Sequence, residues 1–359
     1  MTLIRRTTLA TIAMAALASP AAAQEPDWLR QLEAQIERQA ESLARAFEAQ
    51  LERLQERESR GQRRGRPEVA ESFSRTVRLG ENGTFDLQNV AGDIIVSGTG
   101  GRDVRIEAIK RVRGVSDADA RALLQGLQVQ VAERAGNVEV RTVYPRRRGA
   151  NGAVDYTVAV PNDANVTLRT VSGGVRISNV RGDLRADSVS GDITVSSVER
   201  VRHLRTVSGT LQVTDAEGSE IEGATVSGDV IVRDLKVRTI DLKSVSGDMR
   251  FTDVESERAT LTSVSGDIEY VGRLTRSGRY ELQSHSGDLR VTPVGDTGFD
   301  LEANTFSGNV RSDFALTIRE GTALGFNGAM RRGLRGTFGG AGAALVLQSF
   351  SGNVTIIRR

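Results

Sequence analysis

Beyond residue 70, apolar and polar residues alternate in short runs that glycine-containing turns separate, which is the pattern of half-buried β-strands. The run from Val104 to Ala108 is one example. A helical pattern over 116–127 interrupts the runs once, and Ser116 is its predicted N-cap. The pattern therefore predicts an all-β body, with an irregular first portion over 71–160 and a regular second portion over 161–359.

A Val-Ser-Gly tripeptide recurs through the regular portion. Its first six glycines lie 18, 18, 19, 19 and 19 residues apart, and three variants continue the series at steps of 21, 21 and 44. The last step is interpreted as two repeats with an insertion. The members of the series are Val171-Ser172-Gly173, Val189-Ser190-Gly191, Val207-Ser208-Gly209, Val226-Ser227-Gly228, Val245-Ser246-Gly247, Val264-Ser265-Gly266, His285-Ser286-Gly287, Phe306-Ser307-Gly308 and Phe350-Ser351-Gly352.

Repeats of this length predict a β-solenoid, because no single repeat can bury its own apolar side chains. Coils stacked at roughly 4.8 Å would pair each strand with its equivalents above and below. The odd spacing between Ser244 and Met249 requires a bend near Gly247. A second bend near Gly182 favours two main strands per coil, with three shorter faces as the alternative. The predicted fold class is a β-solenoid of coils of 18–21 residues over 161–359.

The first 23 residues have the order of a secretory signal peptide: a positive start, an apolar stretch and a small-residue end. The apolar stretch is too short to span a bilayer. We therefore expect an exported protein, periplasmic or extracellular, with the periplasm favoured. Sec export fits these residues better than the twin-arginine route, which the paired arginines also allow.

Residues 24–60 carry apolar side chains at three- and four-residue steps, which predicts a long amphipathic helix before the β body. Three interpretations stay open: a short coiled coil that would make a homo-oligomer, a helix docked on the β body, and an arm on a membrane surface. Residues 61–70 are predicted to form a linker.

Composition excludes one class of partner. The chain has 48 basic and 46 acidic residues, and two of the basic ones lie in the predicted signal peptide. Nucleic acid is therefore not an expected partner, because its binding needs a net basic face. The chain contains no cysteine, so stability must come from packing alone. No later segment is apolar for long enough to predict a transmembrane helix.

The order of segments resembles a known family. Gly92-Asp93-Ile94 opens a strand, a central helix and the strand from Val154 to Pro161 follow, and serial Val-Ser-Gly-Asp coils complete the chain. This order resembles the bacterial putative-adhesin family, β-strand-repeat proteins of largely unknown function. The resemblance covers 71–359 and implies a β-solenoid in the cell envelope.

An aspartate follows the turn glycine in most repeats. Carboxylates stacked at the coil spacing would repel by roughly 1 kcal/mol per pair in water. Either each aspartate caps its own turn, or cations such as calcium lie between coils. Asn309 and Asn353 replace it in two late repeats, which favours capping, so no cofactor is expected and calcium stays a weak alternative. The calcium candidates are Asp192, Asp229, Asp248, Asp267 and Asp288.

Signals for catalysis are weak. A nucleophilic serine needs a base, and the two histidines, His203 and His285, are interpreted as ordinary repeat variation. The repeat serines are predicted to form hydroxyl ladders instead. Arg181-Gly182-Asp183 spells an integrin-binding tripeptide, but it lies where the repeat needs a turn. Polysaccharide lyases and glycosidases also use β-solenoids, so a glycan-active enzyme stays an alternative.

A glycine-rich insertion over 321–342 has two interpretations. In the favoured one, it shields an exposed edge at the end of the solenoid. In the other, it is a basic loop that contacts anionic glycan or lipid, with Arg331, Arg332 and Arg335 as the partner-binding candidates.

The leading functional hypothesis is a non-enzymatic, adhesin-like binding or scaffold protein of the cell envelope. Its contact surface would be the solenoid face, and its partner an envelope protein or polysaccharide. One alternative is the glycan-active enzyme. Another is an envelope regulatory protein that acts through the helix over 24–60.

Overall fold

The described part of the chain begins at the first strand of the β body. The predicted signal peptide (1–23), the predicted helix (24–60) and most of the predicted linker lie outside it. Residues 68–70 of that linker belong to the first strand. The computed structural model describes residues 68–145, 151–317, 332–340 and 342–358.

The first portion of the body contains seven strands and one helix within the described residues. Ser116 caps the helix as predicted, because its hydroxyl accepts a hydrogen bond from the backbone N–H of Asp119 at 3.2 Å. The elements are β1 (Glu68–Arg78), β2 (Thr84–Gln88), β3 (Ile94–Thr99), β4 (Asp103–Arg113), α1 (Asp117–Gly126), β5 (Gln128–Arg134), β6 (Asn137–Val143) and β7 (Asn151–Pro161).

The second portion is entirely β within the described residues. Its strands pair in parallel with the equivalent strands of neighbouring coils, which is the pairing of a solenoid. The strands are β8 (Asn165–Ser172), β9 (Val175–Ser178), β10 (Asp183–Ser190), β11 (Ile193–Val198), β12 (Arg200–Ser208), β13 (Leu211–Ser227), β14 (Val230–Ser246), β15 (Met249–Ser265), β16 (Ile268–Ser286), β17 (Leu289–Val294), β18 (Phe299–Ser307), β19 (Val310–Ser312), β20 (Arg332–Phe338), β21 (Ala343–Ser351) and β22 (Val354–Ile356).

Each regular coil has three sides, so the expectation of two main strands per coil is wrong. The coil that contains β14 shows this most clearly. Its inward-facing positions form three sets. Within a set they are two residues apart, but between sets the step is an odd number of residues, so the chain must turn a corner between one set and the next. The third corner is the Ser-Gly turn that leads to Met249. The inward positions of this coil are Val230, Val232, Leu235, Val237, Ile240, Leu242 and Ser244.

The first corner after each glycine turn is a residue with left-handed backbone. These residues have φ between 51° and 59° and recur every 18 or 19 residues. Asparagine and aspartate tolerate this conformation better than other residues with a Cβ, which explains their use here. The corner residues are Asn179, Ser197, Asp215, Asp234 and Asp253.

The Ser-Gly corner needs glycine for two reasons. Gly247 has φ of 142°, which residues with a side chain rarely adopt. A Cβ at this position would also lie 2.2 Å from the carbonyl oxygen of Gly228 in the coil below. The glycines therefore let the corners stack at the spacing that the strands impose.

The interior is one continuous apolar core through the stacked coils. Phe251 and Tyr270 lie in register in neighbouring coils, with ring centroids 6.1 Å apart, and Tyr280 lies 5.8 Å from Tyr270 within the same coil. All three are fully buried. Burying a large apolar side chain contributes about 1.5 to 3 kcal/mol, so the core depends on every coil having neighbours.

At the C-terminal end, the coils do not stack in chain order. β21 lies between β16 and β18, and pairs in parallel with both. β22 lies between β17 and β19 in the same way. The coil formed by 343–356 is thus inserted between the coils of 268–294 and 299–312. The 44-residue step, interpreted as two repeats with an insertion, thus also contains a change of order that was not predicted: the chain skips one level and then returns to fill it.

The first portion repeats this arrangement. β2 lies between β6 and β8, and β3 lies between β7 and β9, so the coil of 84–99 is inserted between later parts of the chain. Asn89, which is 5% exposed, holds this coil to its neighbours by hydrogen bonds. Its side-chain amide donates to the Val154 carbonyl at 2.8 Å and accepts from the Thr142 hydroxyl at 3.0 Å. Tyr156 also contacts Thr142 at 2.7 Å, and burial raises the pKa of Tyr156 to about 12.

Antiparallel strands cover both ends of the stack. At one end, β1 pairs with β4, β4 with β7, and β5 with β6. At the other, β20 lies along β18, so this part of the glycine-rich insertion shields the edge of the outermost coil as predicted. Residues 321–331 and 341 of the insertion lie outside the described residues.

Replacing Gly247 by alanine should lower the free energy of unfolding by about 2 to 4 kcal/mol, because the new Cβ meets backbone in the coil below and φ is unfavourable. Urea unfolding followed by circular dichroism measures this. Gly101→Ala is the matched control, since the nearest atoms to a Cβ there are 3.9 Å away. Equal stability of the two variants would contradict this account of the corner.

Removing residues 343–359 should leave two coils without a parallel neighbour: the coil of 268–294 on one side and the coil of 299–312 on the other. Hydrogen exchange of β18 should rise strongly, because its parallel partner β21 is gone and only the antiparallel strand β20 remains paired with it. If the coils stacked in chain order, β18 would stay protected by β16. Leu347→Ala is a milder variant that empties a fully buried site in β21, and it should raise exchange in β18 and β21 together.

Candidate binding surface on the solenoid

The longest side of each coil presents a flat outer surface built from alternate residues of its strands. We call this surface the long outer face. It contains two well-defined columns of outward side chains, and both run along the stack in strand register.

The first column holds the residue before each Ser-Gly corner, and we call it the corner column. Its members in spatial order are Val171, Val189, Val207, Val226, Val245, Val264, His285, Phe350 and Phe306. The second lies two residues earlier in each strand, and we call it the polar column. Its members in the same order are Arg169, Asp187, Arg205, Ala224, Lys243, Thr262, Gln283, Gln348 and Asn304.

In the first coils the polar column alternates in charge. Arg169 lies 3.2 Å from Asp86 and 4.0 Å from Asp187, and Arg205 lies 3.8 Å from Glu222. Such pairs at the surface contribute little stability, about 0 to 1 kcal/mol each. Because these basic and acidic side chains pair with one another, this half of the face carries no net charge.

His203 lies beside this column, between two carboxylates. Its Nε2 is 3.9 Å from Asp187 and its Nδ1 is 3.7 Å from Glu222, both longer than a hydrogen bond. Burial lowers the pKa of His203, and the nearby Arg205 lowers it further, so the ring is neutral at pH 7. Among the described residues, the groups that face the two ring nitrogens of His203 are therefore carboxylates, and not a hydroxyl that could act as a nucleophile.

The turn aspartates link one coil to the next. Asp229 accepts a hydrogen bond from the backbone N–H of Asp248 at 3.0 Å, and Asp248 accepts one from Asp267 at 3.0 Å. Asp288 continues the ladder to Asn353 at 2.7 Å. The prediction that each aspartate caps its own turn is therefore wrong: each carboxylate holds the corresponding corner of the neighbouring coil. Backbone N–H groups offset the repulsion between stacked carboxylates.

The ladder also explains the exceptions in the series. Asp192 bonds to the N–H of Thr210 at 2.8 Å, and Asn353 accepts from the N–H of Asn309 at 3.1 Å, so an amide oxygen can replace the carboxylate. Within the part of the chain that the structure describes, no three or more His, Cys, Asp or Glu residues group to hold a metal ion. Calcium binding by the aspartates stays a prediction, and a calcium titration that raises the melting temperature would support it.

The hydroxyls that bond between coils are not the serines of the repeat. Ser190, Ser227, Ser246 and Ser265 are exposed. The bonding hydroxyls lie two residues earlier and point inward, where each donates to the glycine carbonyl of the coil below. Sequence reasoning missed them, although a Ser or Thr precedes every Val-Ser-Gly or variant. The observed donors are Thr206, Thr225, Ser284, Thr305 and Ser349.

The three candidate arginines do not form a described cluster. Arg331 lies outside the described residues. Of Arg332 only the backbone is described, and it pairs with Thr305. Arg335 lies 3.9 Å from Glu302, in an exposed ion pair. Their role in binding an anionic partner stays a prediction.

The Arg-Gly-Asp tripeptide is part of the stack. Arg181 lies 3.2 Å from Glu199, and a Cβ at Gly182 would lie 2.0 Å from the carbonyl oxygen of Ala164. Asp183 lies 3.3 Å from Arg202. Packing and ion pairing between coils account for these residues. Beside them, an open polar groove of about 440 Å³ crosses the left-handed corners, lined in part by Asn179 and Ser197.

Replacing Asp248 by alanine should lower the free energy of unfolding by about 0.5 to 1.5 kcal/mol, because the N–H of Asp267 loses its acceptor. Asp248→Asn keeps an acceptor oxygen, as Asn353 does, and should change stability by less. Urea unfolding of both variants at pH 7 measures the difference. If alanine and asparagine have equal effects, the ladder does not contribute to stability as described.

Several solved structures resemble this chain at low sequence identity and with TM-scores below 0.5. A putative adhesin from Bacteroides fragilis is 13% identical, with 80% of this chain and 97% of that chain covered and a TM-score of 0.39. A putative lipid binding protein from Parabacteroides distasonis is 10% identical, with the same coverage and a TM-score of 0.42. A putative adhesin from the same species is 12% identical, again with 80% and 97% covered and a TM-score of 0.38.

No curated protein matches the chain. Within the described residues, no helix is both long enough and apolar enough to cross a bilayer. Residues 200–357, which hold the most regular coils, match the Toastrack DUF4097 family. This match confirms the resemblance that the repeats indicated. Residues 200–357, somewhat less than half of the chain, are therefore similar to the Toastrack DUF4097 family.

Proposed function

We propose that this chain is a non-enzymatic binding or scaffold protein of the cell envelope, and that the long outer face is its contact surface. The observation that carries the proposal is the register of the two columns along that face. Side chains at equivalent positions of successive coils recur at the coil spacing, roughly 4.8 Å, and the face is open beyond the first coils, where Val171 and Val189 are buried in a cluster with Tyr144.

A periodic surface favours a periodic partner. Each coil places a side chain at the same two positions of the face, so a polymer or a repeat protein laid along the face can gain many weak contacts at once. A small molecule would contact only one or two coils. The partner class that fits best is therefore an envelope polysaccharide or a repetitive envelope protein.

The polar groups of the stack support binding rather than catalysis. The turn aspartates are engaged in the ladder between coils, and His203 lies between two carboxylates. A general acid or base usually lies in a cleft that also holds a nucleophile or substrate-orienting groups. The described side chains of the long outer face are arranged in an open surface instead.

The location follows from the predicted signal peptide. We propose that the chain is exported and acts in the envelope, in the periplasm rather than outside the cell. The predicted helix over 24–60 would then bring copies of the chain together, which would multiply the weak contacts of the face.

Co-sedimentation of purified residues 24–359 with envelope fragments tests the proposal. The wild type should sediment with the fragments and leave their glycans uncleaved. Removing two positive charges from the long outer face (Arg205→Ser with Lys243→Ser) should weaken binding severalfold. The matched control removes two from another side of the coil, Arg250→Ser with Arg290→Ser, and should bind as the wild type does.

Two results would contradict the proposal. One is equal loss of binding in both double variants, since the face would then have no special role. The other is release of soluble sugars from the fragments, which would favour the glycan-active alternative.

A further inference from the structure

We infer that the last three coils of the long outer face bind a neutral polysaccharide. This inference rests on the proposed function and narrows it to one region and one chemical class. The region, which we call the aromatic patch, comprises the final three members of each column: His285, Phe350, Phe306, Gln283, Gln348 and Asn304.

The corner column changes character at this end of the stack. His285 and Phe350 are parallel, with ring centroids 4.8 Å apart and an interplanar angle of 11°. Phe350 and Phe306 are also 4.8 Å apart, at 4°. The result is a continuous aromatic strip, and Phe306 is 39% exposed.

The inserted coil creates this strip. Phe306 precedes Phe350 by 44 residues, yet Phe350 lies between His285 and Phe306 in space. Chain order alone would place Phe306 next to His285. Three aromatic side chains from distant parts of the sequence are thus brought into one strip by the topology.

Packing of the solenoid does not require these rings. Valine occupies the same position in the six preceding coils, and the corner there stacks with the same glycine turn. Outward-facing phenylalanine exposes apolar surface to water, which is unfavourable unless a partner covers it. Aromatic side chains are also enriched where partners bind.

The polar column beside the strip changes as well. Charged residues give way to amides, and an amide both donates and accepts hydrogen bonds. Gln283 donates to Glu281 at 2.6 Å. Across the described part of the chain, the amides of Gln348 and Asn304 have no hydrogen-bond partner, so they can bond to a ligand.

The charges around the patch balance. Glu281 lies 3.7 Å from Arg279, and Glu302 lies 3.9 Å from Arg335. Among the described side chains around the patch, these two pairs leave no net charge, which favours a neutral ligand over a polyanion. A neutral sugar chain offers the complementary chemistry: apolar C–H surfaces for the aromatic strip, and hydroxyls that donate to and accept from the neighbouring amides.

The test uses residues 24–359 and affinity electrophoresis in gels that contain a soluble β-glucan, galactomannan, dextran or the acidic polymer alginate. The wild type should be retarded by at least one neutral polymer and not by alginate. The triple variant His285→Val, Phe306→Val and Phe350→Val restores the residue of the other coils, so it should fold. Its dissociation constant for the neutral polymer should rise at least tenfold.

Two further variants separate the patch from the rest of the face. Gln348→Ala with Asn304→Ala should weaken binding severalfold, because both hydrogen-bonding groups are lost. Val226→Thr with Val245→Thr changes the same corner column outside the patch and should bind normally. Circular dichroism and melting temperature establish that each variant is folded.

The outcomes distinguish the inference from the proposed function. Unchanged affinity of the triple variant would overturn the inference, as would retardation by alginate alone. Binding to envelope fragments without retardation by any neutral polymer would also overturn it, but would leave the proposed function standing. Failure to bind either fragments or polymers would overturn both.

Discussion

Parallel pairing between neighbouring coils is the constraint on which the rest of the structure depends. One coil of about 19 residues encloses only a few inward side chains, such as Val230 and Ile240, and cannot remove them from water alone. Pairing with the coils above and below satisfies the backbone and closes the apolar core in one step. The turn glycines, the left-handed corners and the aspartate ladder all follow from it, because each lets identical corners approach at the strand spacing.

The sequence predicted the features that repeat and missed those that depend on contacts between coils. The spacing of the Val-Ser-Gly series was sufficient for the solenoid, and Ser116 for the helix cap. The three sides were readable in principle from the parity of the inward positions. The acceptor role of Asp248 was not, because a side chain that bonds to its own turn and one that bonds to the next coil have the same sequence pattern. Nothing local indicates that β21 returns between β16 and β18.

The same repeats divide the polar groups of each coil into two functions. Inward hydroxyls such as Thr225 and turn carboxylates such as Asp229 bond to the backbone of a neighbouring coil, and are engaged in stability. Side chains of the corner column in the last coils, such as Phe306, make no such bond to the backbone of a neighbouring coil, which leaves them freer to differ between coils. That freedom explains why the corner column can hold valine in six coils and aromatic rings in the last three without disturbing the stack.

The inserted coil has a consequence for the way the protein is completed. During synthesis or export the segment 299–312 emerges before 343–356, yet its parallel partner β21 belongs to the later segment. The coil of 299–312 must therefore wait for its parallel partner until the chain has passed it, formed β20 along β18 and returned. Folding that proceeds in order from the N-terminus to the C-terminus therefore cannot complete the last coils. A molecule whose folding stopped before residues 343–356 were in place would expose a strand edge that could pair with another copy.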